Sequence, residues 1–516
     1  VAVSAALADL ARGSRALRKV LVANRAEIAI RVCRTLREME IPSVTVYSDA
    51  DRSAPHVAAG DEAVRLGPAN PAQSYLNIEA ILGAARAAGA SAIHPGYGFL
   101  SQSAVFARAC RDAGIVFVGP SPESMERLGD KVSSRRAAER CRVPVVPGAE
   151  DVKDAARARV EADRIGYPVL LKAAGGGGGR GMRRVDRPEE LAAAFESARR
   201  EAGAAFGDDR LFVEKLVDPA RHVEIQILGD GANAVAFGER ECSLQRRFQK
   251  VIEESPSTAI DAATRRAMED AAVKLARDAA YAGAATVEFL LGPDGAFYFL
   301  EVNTRLQVEH PVTEARFGID LVRAQLEIAA GGPLPKPGTP RGHAIEARVN
   351  AEDPYHGFLP QTGKLLLLRW ASGEGVRIDA GIAEGQSIHA HYDSLLAKVI
   401  AHGATREEAR SRLLEALRGT ALLGVVTNQG FLIDLLESEP FRRGETYTRT
   451  IEAGRWDGPE RAPDEAVLAA SIALVSPARA DGDVRDDADR YSPWKLLGAW
   501  GRAGASAPGV ARAGTA

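Results

Sequence analysis

Two glutamates, Glu288 and Glu301, stand inside apolar runs: Thr286-Val287-Glu288-Phe289-Leu290 and Phe297-Tyr298-Phe299-Leu300-Glu301. Between them lies Gly292-Pro293-Asp294-Gly295, a turn composition, so a hairpin is predicted with arms at 286–291 and 296–302. With an even number of turn residues the two carboxylates would sit diagonally on one face, with Asn303 beside them. A bulge would shift one arm and break that pattern. Two carboxylates and an amide oxygen are hard ligands suited to Mg²⁺. The alternative is a solvated hairpin, but acids inside apolar strands are rarely idle.

Directly after the second arm, Glu301 to Glu314 crowds Arg305, Gln307, Glu309 and His310 into a stretch with no helical or strand rhythm. That crowding suits an anion held next to a base. A salt-bridged surface loop fits equally well on chemistry alone. Upstream, Lys172 ends the apolar run Tyr167-Pro168-Val169-Leu170-Leu171 and precedes five glycines, Gly175 to Gly179, then Arg180. Such a backbone can fold its N–H groups around phosphate oxygens and can open and close. No Gly-Lys-Ser/Thr follows, so this is not a Walker A loop. A flexible surface loop is the alternative. The segment Cys242-Ser243-Leu244-Gln245-Arg246-Arg247-Phe248-Gln249-Lys250 is basic, and by itself reads best as a solvated face or a nucleic-acid patch. Nothing near Cys242 marks it as a nucleophile.

The elements that must position these residues are α/β in pattern. Lys19–Asn24 and Ser43–Tyr47 read as strands, and between them Ile28, Val32, Cys33 and Leu36 line one helical face. Helix 78–88, strand 92–94, helix 104–113 and strand 115–118 continue the alternation, which predicts a parallel sheet covered by helices. The first turn lacks GxGxxG, so a dinucleotide site is not indicated. Further strands are predicted at 211–215, 222–228, 344–350, 364–369 and 395–401, with helices at 262–280 and 406–418. Gly332–Pro340 reads as a linker, and from Asp457 the chain turns polar.

The chain has 516 residues, 46% hydrophobic and 26% charged, enough for two to four globular domains. Lys plus Arg (66) nearly balances Asp plus Glu (69), so composition calls for neither a nucleic-acid nor a membrane partner. Cys33, Cys110, Cys141 and Cys242 are scattered and suit a reducing compartment, with neither a disulfide framework nor a zinc site. A cytoplasmic location is expected, or the mitochondrial matrix if the Ala/Arg-rich first eighteen residues are a transit peptide.

From about Arg18 to Thr450 the sequence resembles the biotin carboxylases, a family of ATP-grasp ligases. The resemblance is carried by residues 20–25 (VLVANR), 94–101 (HPGYGFLS), 129–131 (GDK), 172–182 (KAAGGGGGRGM), 221–226 (RHVEIQ), 242–250, 301–314 and 392–394 (YDS). It implies a Rossmann-like N-terminal domain at 18–130 and an ATP-grasp domain at 131–335, with a mobile lid at about 145–216. A C-terminal biotin carboxylase domain follows at 341–452. The ends, 1–17 and 453–516, are expected to be a disordered extension and a polar tail.

The same resemblance assigns Lys131, Lys172, Gly176, Gly177, Gly178, Glu214, Lys215, His222 and Gln245 to ATP, and Glu288, Glu301 and Asn303 to Mg²⁺ (or Mn²⁺). It assigns Lys250, Arg305, Gln307 and Val308 to bicarbonate, Glu309 to the role of general base, and Arg348 to the biotin ureido group. The implied reaction is carboxylation of biotin on a carrier protein through carboxyphosphate, as the biotin carboxylase component of an acyl-CoA carboxylase. The implied partners are a biotin carboxyl carrier, a carboxyltransferase subunit and a second copy of the chain. No Met-Lys pair exists to accept biotin, so the carrier is expected on another chain. Ser492–Trp500 resembles the region after the biotin carboxylase in alpha subunits of methylcrotonyl-type acyl-CoA carboxylases.

Four positions depart from the family pattern: Ala26 for Gly, Gln102-Ser103 for Glu-Asn, and Phe248 for a polar residue. Two rivals are another ATP-grasp carboxylate–amine ligase and a nucleotide-binding scaffold without catalysis.

Overall fold

A computed structural model describes residues 17–173, 182–207, 209–456 and 458. Five short strands open the chain: β1 (Val20–Val22), β2 (Ser43–Ser48), β3 (Glu62–Gly67), β4 (Ala92–His94) and β5 (Val116–Phe117). They form one parallel sheet in the order β3-β2-β1-β4-β5. β1 is wholly buried because it lies at the centre. The helix Ala26–Glu38 buries Ile28, Val32, Cys33 and Leu36 as its periodicity predicts. β3 was not predicted. It is an edge strand with three of its six residues exposed, and so lacks the apolar rhythm of its neighbours.

Next comes a four-stranded antiparallel sheet in the order β6-β9-β7-β8. Its strands are β6 (Gly148–Val152), β7 (Val169–Ala173), β8 (Met182–Val185) and β9 (Leu211–Lys215). The helices Ala155–Ile165 and Leu191–Phe206 pack against it around Val169, Leu171, Phe195 and Val213. The sheet fills the span predicted as a lid. The glycine run joining β7 to β8, with Gly176, Gly177 and Gly178, lies outside the described residues. So do residues 1–16 of the predicted extension and nearly all of the predicted tail.

The site is built on an eight-stranded sheet. Its first six strands, in spatial order, are β14 (Phe297–Asn303), β13 (Ala282–Leu291), β10 (Arg221–Asp230), β11 (Ala234–Arg246), β12 (Gln249–Ser255) and β15 (His343–Asn350). Strands Leu395–Gly403 and Val376–Ala380 complete it. All its pairings are antiparallel. The β12–β15 pairing joins the central strands to those beyond the Gly332–Pro340 linker. One face packs on helix Ala262–Asp278 through Val223, Ile225, Val287, Phe289 and Val302. With period-two alternation, the residues between them face the other way.

Candidate active site

The basic segment 242–250 proves to be the tip of the β11–β12 hairpin, not a solvated face. Gln245 pairs with Lys250 and Arg246 with Gln249, leaving Arg247 and Phe248 as a two-residue turn. Both turn residues have positive φ, 47° and 65°, the twist that tight hairpins favour. Cys242 to Gln245 are buried, and Lys250 points inward. Burial pushes the Cys242 thiol well above its ordinary range, so it is not an activated nucleophile.

The β13–β14 hairpin differs from expectation in a useful way. Leu291 pairs with Phe297 across a turn with an odd number of residues. That parity alone would turn Glu301 toward the packed face. A bulge at Leu300 restores the phase, so Glu288 faces Glu301 directly and not diagonally. Asn303, two residues on, shares that face. Across the sheet the row extends to Glu224, opposite Glu288, and then Arg240, opposite Glu224. Three carboxylates in a directly opposed row are mutually repulsive, and such a row persists only where compensating charge is supplied.

Lys250 supplies part of it. Its Nζ donates to Glu224 Oε2 at 2.5 Å, Glu309 Oε1 at 2.6 Å and Glu288 Oε1 at 2.8 Å. Arg240, fully buried, donates to Glu224 Oε1 at 2.5 Å and also to Gln226, Thr286 and Thr313. His222 Nε2 lies 3.2 Å from Glu288. Burial would lower the His222 pKa, but Glu288 and Glu224 together outweigh it and raise it to about 9. Glu288 is itself held below the ordinary carboxylate range: burial opposes this, and Lys250 and His222 prevail. Glu301 moves the other way, raised by burial and by the charge of Glu288.

Glu309 stands at the residue before the helix His310–Phe317, makes no capping bond to it, and is completely buried. One of its oxygens is held by Lys250 and the other accepts from Arg348 Nη2 at 3.0 Å. Burial would raise its pKa; Lys250, Arg348 and Arg240 together outweigh that and lower it, keeping the base form populated at neutral pH. Arg348, on β15, is anchored by Glu253 Oε1 at 2.5 Å. Gln307 donates to Glu288 Oε1 at 2.9 Å, and the Val308 carbonyl accepts from the buried Lys398 at 3.0 Å.

These groups border a cavity of about 930 Å³. Of the predicted residues, Lys131, Lys172, Glu214, His222, Gln245, Lys250, Glu288, Glu301, Asn303, Arg305, Gln307, Val308 and Arg348 all line it. Lys172 is ion-paired with Glu214. Lys215 does not line it: alternation along β9 turns its side chain away, and its ammonium binds the carbonyls of Gly166 and Tyr167 at 3.0 Å. Glu309 lies behind Lys250 and Arg348, not in the lining. His310 is buried, its Nδ1 2.8 Å from the Gln307 carbonyl oxygen.

Sequence reasoning missed Glu224, Arg240 and Glu253. Glu224 and Glu253 stand beside apolar strand residues, the signal that singled out Glu288; Arg240, between Glu239 and Glu241, carries no such signal. The departure at Ser103 keeps a simple role: its hydroxyl accepts the Phe106 N–H and caps the helix Ala104–Asp112. Phe248 lines the cavity and is 57% exposed, an apolar side chain at the hairpin tip.

Three family patterns match in series. Biotin carboxylase, N-terminal domain, covers residues 16–125; carbamoyl-phosphate synthase L chain, ATP binding domain, covers 130–337; and biotin carboxylase C-terminal domain covers 346–453. A biotin carboxylase of Nostoc sp. (strain PCC 7120 / SAG 25.82 / UTEX 2576) is 47% identical over 439 residues, 84% of this chain and 98% of that protein. The chain belongs to the biotin carboxylase family.

It is thus an ATP-dependent ligase in class, with the mixed α/β architecture of that family. The mitochondrial methylcrotonoyl-CoA carboxylase subunit alpha of Oryza sativa subsp. japonica is 49% identical over 444 residues. The match takes in 85% of this chain but only 60% of that subunit. Among solved structures, the biotin carboxylase domain dimer of Hydrogenobacter thermophilus 2-oxoglutarate carboxylase, with MgADP, ADP and bicarbonate, has a TM-score of 0.80 at 43% identity. It covers 84% of this chain and 97% of that one.

Proposed function

We propose that this biotin carboxylase serves an acyl-CoA carboxylase and carboxylates biotin presented on a carrier, with Glu309 as the general base. The observation that carries the reading is the clamp on Glu309: Lys250 on one oxygen, Arg348 on the other, both cations lining the cavity. Bicarbonate held by Lys250, Arg305, Gln307 and Val308 would lie within reach of that base. Deprotonation makes it a nucleophile toward the γ-phosphoryl group of ATP. Attack gives carboxyphosphate and ADP. Carboxyphosphate then breaks down to CO₂ and phosphate, and phosphate takes the proton from biotin N1′. Arg348 stabilises the negative charge that develops on the ureido oxygen as N1′ attacks CO₂.

Lys131, Lys172, Glu214, His222 and Gln245 are proposed to border the nucleotide, with glycines 176–178 over its phosphates. Lys215 would take part only through its backbone. The donor set Glu288, Glu301 and Asn303 fits Mg²⁺: two opposed carboxylates, one raised by the other's charge, form an acid-rich pair that a divalent cation would balance. When bound there, Mg²⁺ would offset charge on the phosphates. His222, Glu224 and Glu288 place ligand atoms within 4.8 Å of one another, but two of the three, Glu224 and Glu288, already accept from the Lys250 ammonium.

A carrier and a carboxyltransferase are the proposed partners, with homodimerisation as in the Hydrogenobacter thermophilus domain. Among the described residues, no helix is long and apolar enough to cross a membrane. The test is phosphate release from Mg-ATP with and without bicarbonate and free biotin. Turnover that requires bicarbonate, rises with biotin and disappears in Glu309→Gln supports the reading. Turnover indifferent to bicarbonate sinks it.

A further inference from the structure

Arg305 differs from Lys250 and Arg348, the two cations that hold Glu309, in what it touches. Lys250 and Arg348 each hold carboxylates. Among the described residues, Arg305 donates only to neutral oxygens. These are Gln102 Oε1 from Nε at 2.7 Å, Asn303 Oδ1 from Nη2 at 3.1 Å, and, from Nη1, the Leu306 carbonyl at 3.0 Å and Gln307 Oε1 at 3.4 Å. Three of these acceptors lie within two residues of Arg305. The fourth, Gln102, comes from 203 positions away, at the end of the 94–101 segment and just before the Ser103 helix cap. It fixes the edge of the guanidinium without balancing its charge. A carboxylate of the same length would meet the same Nε and offset that charge.

We propose that Gln102 is a positioning residue for Arg305, and that by holding it through a neutral oxygen it sets the affinity of the site for bicarbonate. This rests on the anion-site reading given under the proposed function. Gln102 is itself exposed, so the electrostatic part of its influence is screened by solvent and falls with salt.

The test compares the full chain, Gln102→Glu and Gln102→Leu in bicarbonate titrations of Mg-ATP hydrolysis at low and high KCl. Gln102→Glu is expected to raise the bicarbonate KM roughly three- to tenfold at low salt, leave the ATP KM unchanged, and converge on wild type as KCl rises. Gln102→Leu, which loses the acceptor but adds no charge, should show a smaller change that salt does not erase. An unchanged bicarbonate KM in Gln102→Glu would overturn the proposal. So would equal, salt-independent losses in both variants accompanied by a raised ATP KM, the mark of a merely structural role. A wild-type chain without bicarbonate-dependent turnover would instead remove the anion-site reading, and this proposal with it.

Discussion

Two buried charge clusters meet at the helix His310–Phe317, and they are built in opposite senses. At its start, one ammonium, Lys250, serves three carboxylates, Glu224, Glu288 and Glu309. Within the helix, one carboxylate, Glu314, serves two guanidiniums, with Arg31 and Arg377 each at 2.7 Å, and also accepts the Leu321 N–H. In the Glu314 cluster every acid meets a cation: Asp320 takes the same Arg31, and Asp379 takes the same Arg377 and also Arg34. In the Lys250 cluster each carboxylate also has a second partner, Arg240, His222 or Arg348, and Glu301 then adds a further acid opposite Glu288. Paired charges tie elements together; an acid added beside such a cluster is the surplus that can receive a cation.

The sharpest way to break this contrast is Glu309→Gln. Loss of the base should reduce bicarbonate-dependent turnover by about 10²–10⁴-fold while the thermal midpoint stays close to wild type. A large fall in stability would instead place Glu309 with the tying residues. Glu314→Ala should do the reverse. It leaves Arg31 and Arg377 with one carboxylate each, Asp320 and Asp379, at a cost of about 1.5–3 kcal/mol in denaturant titration, yet the folded fraction should keep its KM for ATP and bicarbonate. Glu288→Gln probes the surplus itself: the Mg²⁺ concentration for half-maximal activity should rise roughly tenfold or more, whereas an unchanged Mg²⁺ requirement would move the metal elsewhere.

The smallest effect concerns an acid that belongs to neither cluster. Among the described residues, buried Glu241 accepts side-chain hydrogen bonds only from the hydroxyls of Ser243 and Ser257, and burial pushes its pKa up from 4.5 to about 7. A folded-state pKa above that of the unfolded chain costs nothing below about pH 4.5, grows as pH rises toward 7, and then levels off. Glu241→Gln should therefore stabilise the protein by roughly 1–2 kcal/mol at pH 8 and leave it unchanged at pH 4.5. Equal midpoints at both pH values would show that the carboxylate is better solvated than its burial suggests.

Much of this was legible before any coordinates. Ala92–His94 and Leu211–Lys215 have the predicted bounds, and the helix beginning at Ala26 buries the predicted face. Where the reading fell short, the reason is long-range pairing. β3 is recognisable only by its parallel ladder with β2. The long strand β11 was not predicted, because Gly238-Glu239-Arg240-Glu241 reads as surface until β10 and β12 bury it from both sides. The segment 242–250 looked like a solvated basic face for the same cause. Lys250 turns inward because carboxylates on two other strands and just before a helix await it, and no local rule contains them. Gln102 could be noticed in the sequence as a departure, but its partner, Arg305, is supplied only by the fold.

In an ordinary hairpin, the length of the turn is inherited by every residue beyond it, so an insertion at the tip reverses the facing of the whole return arm. The extra residue at Leu300 works like a slipped gear tooth between the tip and the acids. Turn parity and bulge together set the phase of Glu301, so a one-residue change in the 292–296 loop must be matched by a change at the bulge. A variant with one residue removed from that loop has a route to preserve its metal pair, by smoothing out the bulge. The tip of this hairpin can therefore shorten by one residue while the residues that do the chemistry stay in place.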